Sequence, residues 1–280
     1  MAGADGRSPK LLGDRSDGRR AILIAVISTV VVFGGLGLAV GNSPGWQLVQ
    51  QTFFNARYFE DSWPRQVEAF VVNIQLFLWA EALILPFGLV IAVLRSLPGP
   101  VFFPIRVMAT IYTDFFRGVP AVLIIFVIGF GLPLLGFDWI PNDPFVFGVA
   151  VLVAVYSAYV SEVYRAGIES VHPSQEAAAR SLGLNRVQAM RYVVVPQAVR
   201  RVIPPLLNDF IGLQKDTAIV SFIGVIEVFR QAQIDESASF NFTPYLVTAV
   251  LFLILTIPLA RLTDWLVARD RRRQLAALAR

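Results

Sequence analysis

The sequence predicts an all-α integral membrane protein of six membrane-spanning helices with both termini cytoplasmic. Three observations carry that reading. Of 280 residues, 56% are hydrophobic, 22 are Phe and only 16% are charged, and the mean hydropathy is +0.63; soluble domains do not combine these. The apolar residues fall into six long stretches separated by polar ones. Finally, 19 of the 24 basic residues lie in segments that a six-span chain with an inside N-terminus would leave in the cytoplasm, as the positive-inside rule requires.

Residues 1–20 are polar and basic and are expected to form a disordered cytoplasmic tail. Residues 21–40 give a first span of about 30 Å. A cleaved signal peptide is the competing reading, but the apolar run exceeds a usual signal core and further spans follow. Residues 41–68 carry Trp46, Phe53, Phe54, Tyr58, Phe59 and Trp63, as expected of an extracytoplasmic segment along an interface. A second span is expected over 69–94. The stretch 104–135 is too long for one straight crossing and contains Gly118 and Pro120, which predicts a long or kinked helix. Further spans are expected over 145–164, 202–226 and 244–262, followed by a basic cytoplasmic tail at 266–280.

Between the fourth and fifth spans lies a polar island, residues 172–200, inside a cytoplasmic loop of 165–201. Locally it predicts two short helices. Ser174 is placed to cap the first, with Glu176 in its first turn. Gly183 can end that helix in the left-handed region. Asn185 and Gln188 form a capping box for the second helix, and Pro196 is expected to end or kink it.

This island resembles the EAA loop of ABC-importer membrane subunits: E-A-A, three residues, Gly, nine residues, then aliphatic, any residue, aliphatic, Pro. Gly183, Val193, Val195 and Pro196 fit that spacing. The upstream half departs: Ala177, Ala178 and Ala179 stand at the E-A-A positions, and the acid sits one place early at Glu176, about 100° around the helix. The resemblance implies that Ser174, Gln175, Glu176, Ala177, Ala178, Ala179, Leu182, Gly183, Val193, Val195 and Pro196 form the surface that couples to an ATPase.

Charged side chains within apolar spans are costly and are functional candidates by default. Glu81 lies mid-way along span two. Asp114 and Arg117 share a face of span three, and Glu162 and Arg165 have the same spacing near the end of span four. Asp209, Lys215 and Asp216 fall in span five. Adjacent Lys215 and Asp216 point about 100° apart, so each needs a partner on another helix or a ligand. A zwitterionic amino acid would satisfy both; a helix–helix ion pair is the alternative.

Further words resemble polar amino-acid permeases: FFRGVP at 115–120, LQKDTAI at 213–219 and GVIEV at 224–228. The resemblance covers about 69–265, a five-helix core of the type I ABC-importer fold, to which 21–40 adds a helix. It implies import of a polar amino acid, with glutamate or glutamine favoured, through Glu81, Asp114, Arg117, Gln214, Lys215, Asp216 and Thr217. It also implies a second permease subunit (copy or paralogue), a dimer of ATPase subunits and an extracytoplasmic amino-acid-binding protein, all at the cytoplasmic (inner) membrane.

The chain has no Walker-type phosphate loop and no nucleophile–base set. It is therefore expected not to be an enzyme, to bind no cofactor or metal itself, and to leave ATP and Mg to the partner ATPase. With no cysteine and one histidine, thiolate and histidine-cluster metal sites are excluded. Its arginine runs sit at membrane edges, so nucleic acid is not an expected partner. An ion-coupled secondary carrier or channel, using Glu81, Asp114 and Asp216 as a relay, is the alternative function.

Overall fold

The computed structural model describes residues 15–136 and 141–278. It divides into two units, residues 1–55 and 56–280. In the first unit, α1 (Arg15–Gly41) is a single helix. It starts six residues before the expected span, so residues 15–20 are helical rather than part of a disordered tail, whereas residues 1–14 lie outside the described residues. From Ile22 to Val40 its large apolar side chains are exposed, the surface that a lipid-facing helix presents. A short helix, α2 (Trp46–Phe53), follows and buries nothing.

The second unit opens with α3 (Ala56–Arg95), 40 residues long. The interfacial segment expected over 41–68 thus contains α2 and, over residues 56–68, the first third of this helix, which starts ahead of the second span expected at 69. Its buried positions include Ser62, Gln66, Ala69, Asn73, Leu76, Ala80, Ile84, Gly88 and Ala92. Their spacing of three or four residues marks one continuous helix face. That face packs on α6 (Pro144–Glu169), whose start is capped by Asp143 accepting from the Phe145 amide at 2.9 Å. The approach is close: a methyl group at Gly88 would stand 2.7 Å from Val160 Cγ1 and 3.3 Å from the Ser157 carbonyl oxygen. Only a hydrogen fits there.

Between these helices, α4 (Phe103–Gly118) and α5 (Ala121–Leu134) meet at 111°. The kink expected at Gly118 and Pro120 is therefore a full break, because Pro120 lacks an N–H and its neighbour Val119 takes an extended conformation. After the polar island, α9 (Val195–Asp216) leads into a 3₁₀ segment (Thr217–Ile223), and Gly224 at φ +93° turns the chain into α10 (Val228–Ser239). The fifth span expected over 202–226 falls, as far as Ile223, in the first arm of a bent pair, Arg186–Ile223 and Val228–Ser239, which meet at 51°. The last helix is α11 (Thr243–Leu278). Among the described residues four helices are long and apolar enough to cross a membrane, and up to six crossings result if each bent pair counts as one.

Side chains from α3, α5, α6, α9 and the 3₁₀ segment close one core: Leu76, Ile84, Ile125, Val151, Leu213 and Val220 are all essentially solvent-free. Beside it runs a buried polar seam. The Asn73 amide donates to Glu227 Oε2 (2.8 Å) and Thr217 Oγ1 (3.0 Å), and its oxygen accepts from the Val228 amide (3.0 Å). Glu227 also accepts from the amides of Phe229 (3.0 Å) and Arg230 (2.8 Å). It thereby caps α10 while pinning it to α3, with no exposed surface of its own. Glu227→Ala would remove the cap and strand the Asn73 amide. A loss of about 2 kcal/mol or more follows, to be read as a lowered thermal midpoint of the detergent-solubilised protein; an unchanged midpoint would contradict the pinning.

Candidate functional site

The polar island begins with α7 (Pro173–Ser181). Its N-cap is His172, not the expected Ser174: Nδ1 accepts from the Ser174 amide at 3.2 Å and lies 2.7 Å from the Ser174 hydroxyl. Pro173 occupies the first helical position, where a missing N–H costs nothing, and this puts the cap two places earlier than a serine-based reading gives. At the other end the Leu184 amide bonds to the Ala179 carbonyl (3.3 Å) and the Gly183 amide to the Arg180 carbonyl (3.0 Å). This is the Schellman pattern, with Gly183 at φ +92°.

The expected capping box is present. Asn185 Oδ1 accepts from the Gln188 amide, and Gln188 Oε1 from the Asn185 amide, both at 2.9 Å. It opens α8 (Arg186–Ala189), which runs through a π-helical turn (Met190–Val194) into α9. Pro196 therefore neither ends nor breaks this helix, contrary to expectation. It sits in the first turn of α9, and the wider π turn before it absorbs the donor that proline lacks. One long helical rod thus reaches from Arg186 to Asp216, and α7 lies against its start.

Of the eleven expected loop residues, Ala179 faces inward and is buried, whereas Leu182 is 84% exposed. Val187, Tyr192 and Val199 are also exposed nearby. A recess of about 640 Å³ opens between the two helices, lined by Ala177, Arg180, Ser181, Gly183, Leu184 and Arg186 among others. Glu176 stands 3.8 Å from Arg186 of α8, a long, partly solvent-exposed ion pair across the glycine.

The candidate pathway residues divide into three places. Arg117, at the end of α4, lies 3.4 Å from Glu162 Oε1 and over the ring of Tyr159, while Asp114 is exposed on the same helix. Asp216 accepts from the Tyr156 hydroxyl at 2.8 Å. Lys215, next to Asp216 in sequence, is exposed. Gln214 and Thr217 point the other way. Gln214 accepts from the Thr256 hydroxyl of α11 (2.8 Å), and Thr217 belongs to the Asn73 seam.

Sequence reasoning missed Arg95, Tyr156, His172, Asn73 and Glu227. The polar residues Asn73 and Glu227 inside apolar runs were the available signal. Glu162 was noticed only for its spacing from Arg165. In the structure it is a hub: Arg95 of α3 hydrogen-bonds to Oε1, and Arg165 donates to Oε2 from Nε (3.0 Å) and Nη2 (2.7 Å).

Residues 84–272 match the family described as binding-protein-dependent transport system inner membrane component. The chain belongs to this family. It is a multi-pass membrane permease, the transport subunit of an ABC importer. Its relatives include the probable glutamine ABC transporter permease protein GlnM of Bacillus subtilis, 38% identical over 65% of this permease and 82% of that protein. The glutamine transport system permease protein GlnP of Escherichia coli K12 is 34% identical, over 71% and 90% respectively. The permease also superimposes on a solved amino acid ABC transporter crystallised with histidines, with a TM-score of 0.67 and 36% identity over 74% of this chain and 94% of that one. The methionine transporter MetNI in an inward-facing state shares the fold, at a TM-score of 0.55 and 17% identity.

Removing the capping box by Asn185→Ala should cost about 1 kcal/mol of local stability. Tryptic cleavage after the exposed Arg186 and Arg191 should then accelerate severalfold in the folded permease; an unaltered cleavage rate would show that other contacts hold α8.

Proposed function

We propose that this permease imports a polar amino acid, glutamine- or glutamate-like, across the cytoplasmic membrane. Two permease subunits, copies or paralogues, form the pathway. A binding protein delivers the solute from outside, and each subunit offers its α7–α8 loop to one subunit of an ATPase dimer, which holds the ATP and Mg. Both termini and that loop then face the cytoplasm, the arrangement favoured by the arginine distribution.

The observation that carries the reading is the construction of the loop. Two capped helices meet at a left-handed glycine, with exposed Leu182 and Val187 beside the recess and with α8 continuous into α9. A push on such a loop moves a helix about 30 residues long as one body, whereas a floppy connection would absorb the motion. Names carried by relatives support the solute class: glutamine for two of them, arginine for another. For the pathway, Arg117 and Lys215 offer cations and Asp216, Asp209 and Glu81 offer anions, the complement of a zwitterion. The bonds of Gln214 and Thr217 give those two a packing role instead.

Gly183→Val would force a β-branched residue into the left-handed region. Recovery of the ATPase with the tagged permease should drop at least severalfold while membrane insertion is retained; undiminished co-purification would rule out docking at this loop. Replacing the pathway cation, Lys215→Met, should reduce solute-stimulated ATP hydrolysis more than the basal rate. Equal loss of both would assign Lys215 to packing.

A further inference from the structure

The hub at Glu162 has an unequal distribution of partners. Its carboxylate is 16% exposed and meets three guanidiniums from three helices: Arg95 at the end of α3, Arg117 at the end of α4, and Arg165 one turn on in α6. Two of them are committed. Arg95 is 12% exposed and hydrogen-bonded to Oε1; Arg165 is bidentate to Oε2 and also donates to both oxygens of Glu169 at 2.7 Å. Arg117 shares Oε1 with Arg95, reaches it only at 3.4 Å, and is 42% exposed. Three cations against the two carboxylates of Glu162 and Glu169 leave one positive charge over, and Arg117 is the loosest of the three. A carboxylate presented by a solute can therefore recruit Arg117 at little cost, since a bidentate guanidinium–carboxylate pair outweighs a single longer contact.

The other side of the hub leads to the loop. Glu169 is the last residue of α6 and precedes Ser170, whose carbonyl accepts from Arg201 on α9. Two residues further on, His172 caps α7. A series of polar contacts thus runs from Arg117 through Glu162 and Arg165 to Glu169, and from there the backbone leads in three residues to His172, where the α7–α8 loop is rooted.

We propose that Glu162 is a positioning residue: it holds Arg117 ready for a solute carboxylate and transmits the loss of that contact, through Arg165 and Glu169, to the root of the α7–α8 loop. The proposal rests on the pathway role assigned to Arg117. Once Arg117 leaves for the solute, Glu162 is shared by Arg95 and Arg165 alone, and its balance between α3 and the end of α6 shifts. Linkage makes the effect reciprocal: movement of the loop by the ATPase alters the hold of Glu162 on Arg117.

The test uses the assembled permease–ATPase complex in nanodiscs with its binding protein, and L-glutamine and L-glutamate as probes. ATP hydrolysis is followed against solute concentration. Arg117→Gln should raise the half-saturating concentration roughly tenfold while leaving much of the maximal stimulation. Glu162→Gln should show the reverse emphasis: a half-saturating concentration moved less than in Arg117→Gln, with maximal stimulation reduced at least about fivefold, the lower end of common coupling strengths. Glu162→Asp should restore part of it. If Glu162→Gln fails to assemble, Arg165→Lys, which keeps the charge but loses the bidentate bond, should give the same pattern. Basal and stimulated rates falling in equal proportion, or no change in stimulation, would overturn the coupling role. An unchanged half-saturating concentration in Arg117→Gln would instead overturn the pathway reading on which it rests.

Discussion

The close contact of α3 with α6 is the constraint on which the rest of the second unit depends. Along Ala80, Ile84, Gly88 and Ala92 the α3 surface is small or flat enough for α6 to approach until Val160 nearly touches the Gly88 backbone. In a lipid environment there is little hydrophobic drive between helices, so association relies on such close van der Waals packing and on interhelical hydrogen bonds. That contact brings the charged groups of the two helices together. Tyr156, Tyr159, Glu162 and Arg165 occupy successive turns of α6, and Arg95 closes α3 on the same side as Glu162.

The breaks in the helices follow from the same economy. A backbone N–H or C=O without a partner is costly inside a membrane, so an interruption persists only where side chains substitute for the missing bonds. The bend between the 3₁₀ segment and α10 meets this condition: Glu227 and Asn73 satisfy the amides of Val228, Phe229 and Arg230. Gln66 does comparable work further along α3, donating to the Pro244 carbonyl and accepting from Thr248 of α11. These buried polar residues are engaged with one another and with backbone groups, whereas the half-exposed Arg117 and exposed Lys215 stand out as groups with capacity to spare.

Much of this was legible in the residues. Apolar run length gave the helices, because a bilayer-spanning segment is written as composition, and the Asn185–Gln188 box and Gly183 were readable because both are local backbone chemistry. Misreadings arose where a local rule met a second local rule. Ser174 looked like a cap, but Pro173 ahead of it moved the cap to His172. Pro196 looked like a stop, but a π turn upstream accommodates a proline without ending the helix. Tertiary partners were not legible at all. Nothing near Glu162 in the chain says that Arg95 and Arg117, 67 and 45 positions away, will converge on it, since the α3–α6 contact and the 111° break at Pro120 put them there.

That convergence bears on how a permease of the proposed kind could respond to a partner ATPase. In the proposed assembly the loop would be a rigid handle, yet rigidity alone would let the ATPase move the helices whether or not a solute is present. Selective response needs an element whose balance depends on occupancy and which touches both the pathway and the handle. A fully neutralised ion pair would be too stable to exchange partners, and an isolated cation would be too costly to keep unpaired among apolar helices. One carboxylate shared unequally among three arginines lies between those limits: two bonds hold the helices together, and the third remains open to exchange.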